Sequence, residues 1–395
     1  MTDAEKRRAL PWLLTAETLS MSFVMLTFGG SVFILFLDEL QLGTQQIGFL
    51  LSLIPFCGLV APLVAPLVGR FGHKRIYVTF WGIRKFVFAL ILFTPAILER
   101  YGAERAFWWV SGIIFTFALC RSIAETGGFQ WKKEIIPNAI RGQYSALNSM
   151  TTTVSSIIVV AVAGYVIENG TGLGRFMQLM SVGLVIGLIS VAVFSRVPPE
   201  QAAERHDTGR EYLRGIGSAF RDVNYRRFLL ILGLTTFASS ASNSFIPLFM
   251  KREIGLTDGV VVLLSIGTHL GALLTSYLWG WTADRYGSKP VMQASLVLLL
   301  LPPINWLLLP AHSPASAPLA MVASFLLGVA NLAWQISWTR YLYVNAIPED
   351  NKAAYMGLYY AWFGIVSGLG PLLGGGFCSG PKMQGWLPLI VCSLV

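Results

Sequence analysis

Residues 280–290 read GWTADRYGSKP and residues 65–75 read APLVGRFGHKR. A shift of 215 residues lays Arg70 on Arg285, Gly72 on Gly287 and Lys74 on Lys289. Further on, IIPNAIRGQYSA (135–146) and AIPEDNKAAYMG (346–357) superpose at a shift of 211, with Pro137 on Pro348, Arg141 on Lys352 and Tyr144 on Tyr355. Two independent pairs at nearly equal offset mark an internal repeat. Each copy follows an apolar run, so the repeated unit is a set of hydrophobic segments joined by short basic turns.

Working outward, the rest of the chain is apolar. Of 395 residues 54% are hydrophobic and only 12% charged, against about 25% charged in soluble domains. Mean hydropathy is +0.62. This excludes an ordinary soluble globular protein and predicts an all-α polytopic membrane protein. Apolar stretches of a length to cross a bilayer number about eleven, plus a partial one. They lie near 11–37, 43–69, 76–98, 106–131, 143–168, 173–195, 227–250, 259–283, 290–310, 315–345 and 354–377. A twelfth begins near Trp386, and Val395 follows too soon for a full crossing, which fits a fragment or a truncated form. The first run follows Lys6, Arg7 and Arg8. It is too long for a signal peptide and is read as a retained helix.

Alternating the loops divides the 29 Lys and Arg into 19 inside, 6 outside and 4 within spans. The positive-inside rule then puts the N-terminus in the cytoplasm. The net charge of +9 is therefore a loop bias rather than a sign of nucleic acid. The division predicted is an N-terminal six-helix bundle (1–197), a central cytoplasmic loop (198–225) and a C-terminal bundle (226–395). Within the loop, REYLRGIGSAFRDV (210–223) has apolar residues at helical spacing. It suits an amphipathic surface helix or a solvated linker. Cys57, Cys120, Cys378 and Cys392 have neither metal nor disulfide spacing and are read as packing residues.

The C-half turn, with Gly280, Asp284, Arg285, Gly287 and Lys289, resembles the loop signature G-x-x-x-D-R-x-G-x-K/R of the major facilitator superfamily of secondary transporters. The N-half copy keeps Arg70, Gly72 and Lys74 but has Ala65 and Gly69 where the first Gly and the Asp would stand. The resemblance covers essentially the whole chain. It implies two pseudo-symmetric six-helix bundles that rock about a central solute site, and an Asp and Arg that help lock the halves together. Any such lock here rests on Asp284 and Arg285. The plain alternative is a pair of tight basic turns. GIVSGLGPLLGGG (364–376) looks like the glycine-proline motif of the family's drug antiporters. It lies in span eleven rather than span five, where Val159, Val160, Ala163 and Gly164 stand, so close helix packing is the other meaning.

Charges inside a bilayer cost about 2.5–3.5 kcal/mol each on insertion scales and need a reason. The N-half has five: Glu17, Arg84, Lys85, Arg121 and Glu125. All lie about 9–15 Å in from the basic end of their spans, so they can pair with one another. Arg121 and Glu125 share a helix face. One net positive charge is left over, able to attract an anion, unless Arg84 or Lys85 snorkels. Glu17 and Glu125 are candidate proton carriers gated by Arg121, a combination that resembles the family's proton-coupled drug antiporters. A structural salt-bridge cluster is the alternative, and Glu17 also fits an interfacial position.

Polar stripes complete the set. Asn331, Gln335 and Trp338 share one face of span ten, and Ser265, His269 and Ser276 one face of span eight. Span seven adds Asn243 and span five Asn148. Arg121, Asn148, Asn243, Asn331, Gln335 and Trp338 are the candidate solute contacts. His269 is the best C-half titrator or else a hydrogen-bonded structural histidine. Arg340, off the stripe, is read as snorkelling or anchoring a loop. No metal cluster, cofactor-binding motif or nucleotide-binding unit is present in the sequence, and no obligate protein partner is evident.

The function expected is a proton-coupled secondary active transporter of a small organic solute, and not an enzyme. Its alternative is a non-transporting receptor or scaffold of the same fold. The compact loops suit a bacterial inner membrane. Asn169-Gly170-Thr171 matches a glycosylation triplet and is weak alone.

Overall fold

A computed structural model describes residues 3–61, 64, 70–137, 140–199, 217–348 and 352–378. Ala65, Gly69, most of the central loop and the segment from Trp386 lie outside the described residues. Among the described residues the chain is helical, with no strand. The helices are α1 (Asp3–Leu26), α2 (Gly30–Glu39), α3 (Thr44–Cys57), α4 (His73–Ala89), α5 (Thr94–Ile135) and α6 (Arg141–Asn169). They continue as α7 (Gly172–Arg196), α8 (Val223–Arg252), α9 (Asp258–Tyr286), α10 (Ser288–Leu307), α11 (Ser316–Tyr341) and α12 (Lys352–Phe377). Nine helical stretches among the described residues are long and apolar enough to cross a membrane.

Two of the nine are built from more than one helix. α1 and α2 join into Glu5–Glu39, the first span. The stretch His73–Ile135 has 63 residues, about 95 Å if straight and about three times a bilayer core. It is a hairpin: Gly102 has φ 81 and ψ 174, and α4 packs back against α5. With α3, part of a shorter apolar helix, Thr44–Val60, at the described part of the second span, helices stand at all eleven expected places.

α6 shows why such helices need lipid. Leu147, Met150, Val154, Ile158, Val162 and Tyr165, three or four apart, are all exposed. Ser156, Val160, Ala163 and Gly164 are buried on the opposite face. Large apolar side chains outside and small ones inside invert the soluble pattern.

The chain divides into two compact units, residues 1–42 with 53–205, and residues 43–52 with 206–395. In unit 1, α1 packs on α6 and α7, and α4 on α5. In unit 2, α8 packs on α12, α10 on α11, and α9 on α11. The pairing of first with fifth span and third with fourth thus recurs, so the sequence repeat is a repeat of packing. Close approach is set by glycine. A Cβ on Gly328 of α11 would collide with the Thr268 carbonyl of α9. In the glycine-rich span, a Cβ on Gly370 of α12 would stand 2.8 Å from Ser240 Cβ of α8, and the Ser240 hydroxyl donates to Ser367 O at 2.8 Å.

Candidate functional site

The two basic turns have the backbone that their sequences demand. Gly72 before α4 has φ 91, and Gly287 between α9 and α10 has φ 85. Both lie in the left-handed region where a side chain is strained, which is why glycine stands at both places in the repeat. In the first turn Lys74 Nζ donates to Ser195 O at 2.8 Å, and the Arg70 guanidinium lies over Phe71 at 5.9 Å. In the second, Arg285 lies over Trp281 and Tyr286 at 5.2 and 5.7 Å, and Lys289 Nζ lies 5.9 Å from the Tyr341 ring. Asp284 pairs with Arg340 of α11 at 3.5 Å, and Arg340 also donates to Ala283 O at 2.7 Å. Arg340 therefore anchors the end of α9. Among the described residues a Cβ on Gly280 would meet nothing within 4 Å, so packing against them does not explain the glycine.

The second repeated turn ties each unit to a carboxylate through its tyrosine. The Tyr144 hydroxyl donates to Glu17 Oε2 at 3.1 Å. The Tyr355 hydroxyl donates to Asp222 Oδ2 at 3.3 Å, while Asp222 caps α8 through the Asn224 and Tyr225 amides.

In unit 1 the charges pair differently from the sequence reading. Arg121 and Glu125 form the expected i,i+4 pair, Nε to Oε1 at 2.8 Å. Glu17 is instead held by Lys132 Nζ at 2.6 Å. Lys132 falls just past the expected end of the fourth span (106–131), but α5 continues to Ile135 and carries it, partly buried, against α1. Its basic neighbour Lys133 and the following proline turn disguise this in the sequence. Nor does Arg84 or Lys85 snorkel: they are 1% and 0% exposed. On α6 the Thr152 and Ser156 hydroxyls donate to carbonyls of their own helix at 2.7 and 2.8 Å. The Asn148 side-chain oxygen is buried and accepts no hydrogen bond from the described residues.

Unit 2 has a cleft of about 270 Å³ lined by Ser239, Ser242 and Asn243 of α8, Pro303 and Trp306 of α10, and Asn331 of α11, among others. Its polar groups are hydroxyls, amides and an indole. The span-ten stripe is divided by this geometry. Asn331 reaches the cleft and Gln335 is exposed. Trp338 stacks in an aromatic group with Tyr359 and Phe363, centroids at 5.7 and 6.5 Å. His269 on α9 is half-buried and is not among the cleft residues. Ser242 and Trp306 escaped the sequence reading, because an apolar helix face gives no sign of where a neighbour leaves a gap. Among the described residues no cluster of His, Cys, Asp and Glu could hold a metal ion.

A family model described as the Major Facilitator Superfamily matches residues 18–267 and again 228–395. The chain belongs to this superfamily. Its members are transporters, and the helices long and apolar enough to cross a membrane make this chain an integral membrane protein. Among curated relatives of this superfamily member, the ectoine/proline transporter ProP of Corynebacterium glutamicum is 24% identical over 295 residues, 67% of this chain and 56% of the relative. The chain thus spans little more than half the length of that relative. An uncharacterized MFS-type transporter of Bacillus subtilis, YuxJ, is 24% identical over 328 residues, 80% of this chain and 78% of the relative. A mutant form of the nucleoside transporter NupG has the same fold, with TM-score 0.72 and 16% identity over 97% of each chain. A D-xylose–proton symporter gives TM-score 0.65 and 15% identity, covering 98% of this chain and 94% of that one.

Proposed function

We propose that the chain is an alternating-access carrier of a small polar organic solute, coupled to protons through unit 1. The observation that carries the coupling is the Glu17 carboxylate, in a membrane-spanning helix with Lys132 and Tyr144 as partners. Adding a proton to Glu17 removes the charge that attracts Lys132, so it loosens α1 from α5 and α6. Proton occupancy and helix packing are then linked, as a coupled carrier needs. Glu125, paired with Arg121 and half exposed, is the second proton site, and His269 the one in unit 2.

The cleft supports a solute class. Ser239, Asn243 and Asn331 offer hydrogen bonds without charge, which suits hydroxyl- or amide-bearing compounds. Arg121, Asn148, Gln335 and Trp338 are further contacts on this reading. Relatives and neighbours named for ectoine, proline, nucleosides and D-xylose support small polar solutes. The basic turns, with Arg70, Gly72, Lys74, Gly280, Asp284, Arg285, Gly287 and Lys289, form the gating motif. The bundles are residues 1–197 and 226–395, and the membrane is a bacterial inner membrane with the N-terminus cytoplasmic, in keeping with the loop charges.

Uptake into proteoliposomes under an imposed proton gradient tests the reading, with proline, ectoine, nucleosides and pentoses as solutes. One class should accumulate, an uncoupler should abolish the accumulation, and Glu17→Gln should lose it. Uptake that ignores both the gradient and the substitutions Glu17→Gln and Glu125→Gln would remove proton coupling. Binding without flux under any gradient would make the chain a receptor with a transporter fold.

A further inference from the structure

Unit 1 buries two cations that its carboxylates do not serve. Arg84 and Lys85 of α4 are almost wholly buried, while Glu17 is paired with Lys132 and Glu125 with Arg121. Arg84 Nε and Nη2, Lys85 Nζ and the nearby Trp81 Nε1 have no hydrogen-bond partner among the described residues. The guanidinium carbon of Arg84 stands 3.1 Å from the Trp81 ring centroid and 5.2 Å from that of Phe117. Lys85 Nζ stands 2.9 Å from the Phe23 centroid and 5.7 Å from that of Trp81. The two cationic heads therefore share one indole, and the rings take up their charge without accepting their N–H bonds.

The two guanidinium nitrogens and the indole nitrogen belong to donor-only groups, and a guanidinium does not escape burial by losing its proton; the Lys85 amine is a further donor beside them. A buried charge needs a counter-charge. The missing partner is thus an acceptor bearing negative charge. Gly187 of α7 lets that helix come close to the two cations: a Cβ there would stand 2.7 Å from Phe23 Cδ2 and 3.2 Å from Lys85 Cδ, so a larger residue would crowd them. The repeat supplies an independent observation. The shift of 215 residues carries Trp81, Arg84, Lys85 and Phe88 onto Leu296, Leu299, Leu300 and Pro303. All four of those residues line the cleft of unit 2. The corresponding place in the second copy is a ligand-sized opening.

We propose that Arg84, Lys85 and Trp81 form a binding site for a small monovalent anion, either a free halide-sized ion or the carboxylate of an organic solute. The site uses neither Glu17 nor Glu125, so it stands or falls apart from proton coupling.

Thermal unfolding of the purified protein in equal concentrations of sodium chloride, sodium acetate and the sodium salt of morpholinoethanesulfonate tests it. Chloride probes the free ion, acetate the carboxylate group, and the sulfonate is the bulky reference that carries no carboxylate. The Tm should be higher by about 2–4 °C in chloride or acetate than in the sulfonate, and Lys85→Met should abolish the difference. A rise in chloride alone assigns the site to a free ion, and a rise in acetate alone to a solute carboxylate. Should Lys85→Met fail to fold, Trp81→Phe keeps a ring and removes one N–H. It should move the midpoint of the anion titration up by about fivefold to tenfold. Equal Tm values in all three salts, or an anion dependence retained by every folded variant, overturn the proposal.

Discussion

Glu17 and Glu125 have the same chemistry in opposite settings. The Glu125 and Arg121 side chains are 50% and 34% exposed, so their i,i+4 bond contributes only about 0.3–0.5 kcal/mol. Glu125→Gln should leave Tm nearly unchanged, and any loss of proton-driven uptake in that variant reports coupling rather than folding. Glu17 is 16% exposed and Lys132 28%, and the Tyr144 hydroxyl adds a bond to the charged carboxylate. Tyr144→Phe should lower stability by about 1.5–3 kcal/mol, seen as a fall in Tm in detergent. A Tm equal to that of the parent would mean that the carboxylate finds another donor.

At the scale of the element, glycine separates packing from turn geometry. Gly328→Val drives a side chain into the Thr268 carbonyl, and backbone on both sides leaves little relief. Overpacking of this kind costs about 1–3 kcal/mol, so folded yield and Tm should both drop. Gly287→Ala meets no neighbour but must keep φ 85, at a cost of about 1–2 kcal/mol. Gly280→Ala sits in open space within α9. It should be neutral or stabilising by up to about 1 kcal/mol, and a large loss of transport without loss of Tm would assign Gly280 to motion.

The helices and their repeat were legible because long apolar runs and two pairs of turns admit one reading. The i,i+4 pair of Arg121 and Glu125 was legible because it is local. The bond from Lys132 to Glu17 was not. It joins α5 to α1 across 115 residues of sequence, and Lys132 looks like one more loop cation beside Lys133. The shape of the cleft was hidden for the same reason, since which of many apolar residues face a gap is decided by three helices together.

For the whole molecule, the outward face of α6 carries one more consequence. From Leu147 to Tyr165 every third or fourth residue is an exposed apolar side chain, and that stripe is about 27 Å long. A typical hydrocarbon core is about 30 Å thick, so the helix matches an ordinary membrane with little tilt, and Tyr165 reaches the headgroup level at one end. Thickness then becomes a variable that the protein reads. Solute flux in vesicles of graded acyl length should peak near that match and fall on both sides, because a thinner or thicker sheet must be deformed at the protein's rim.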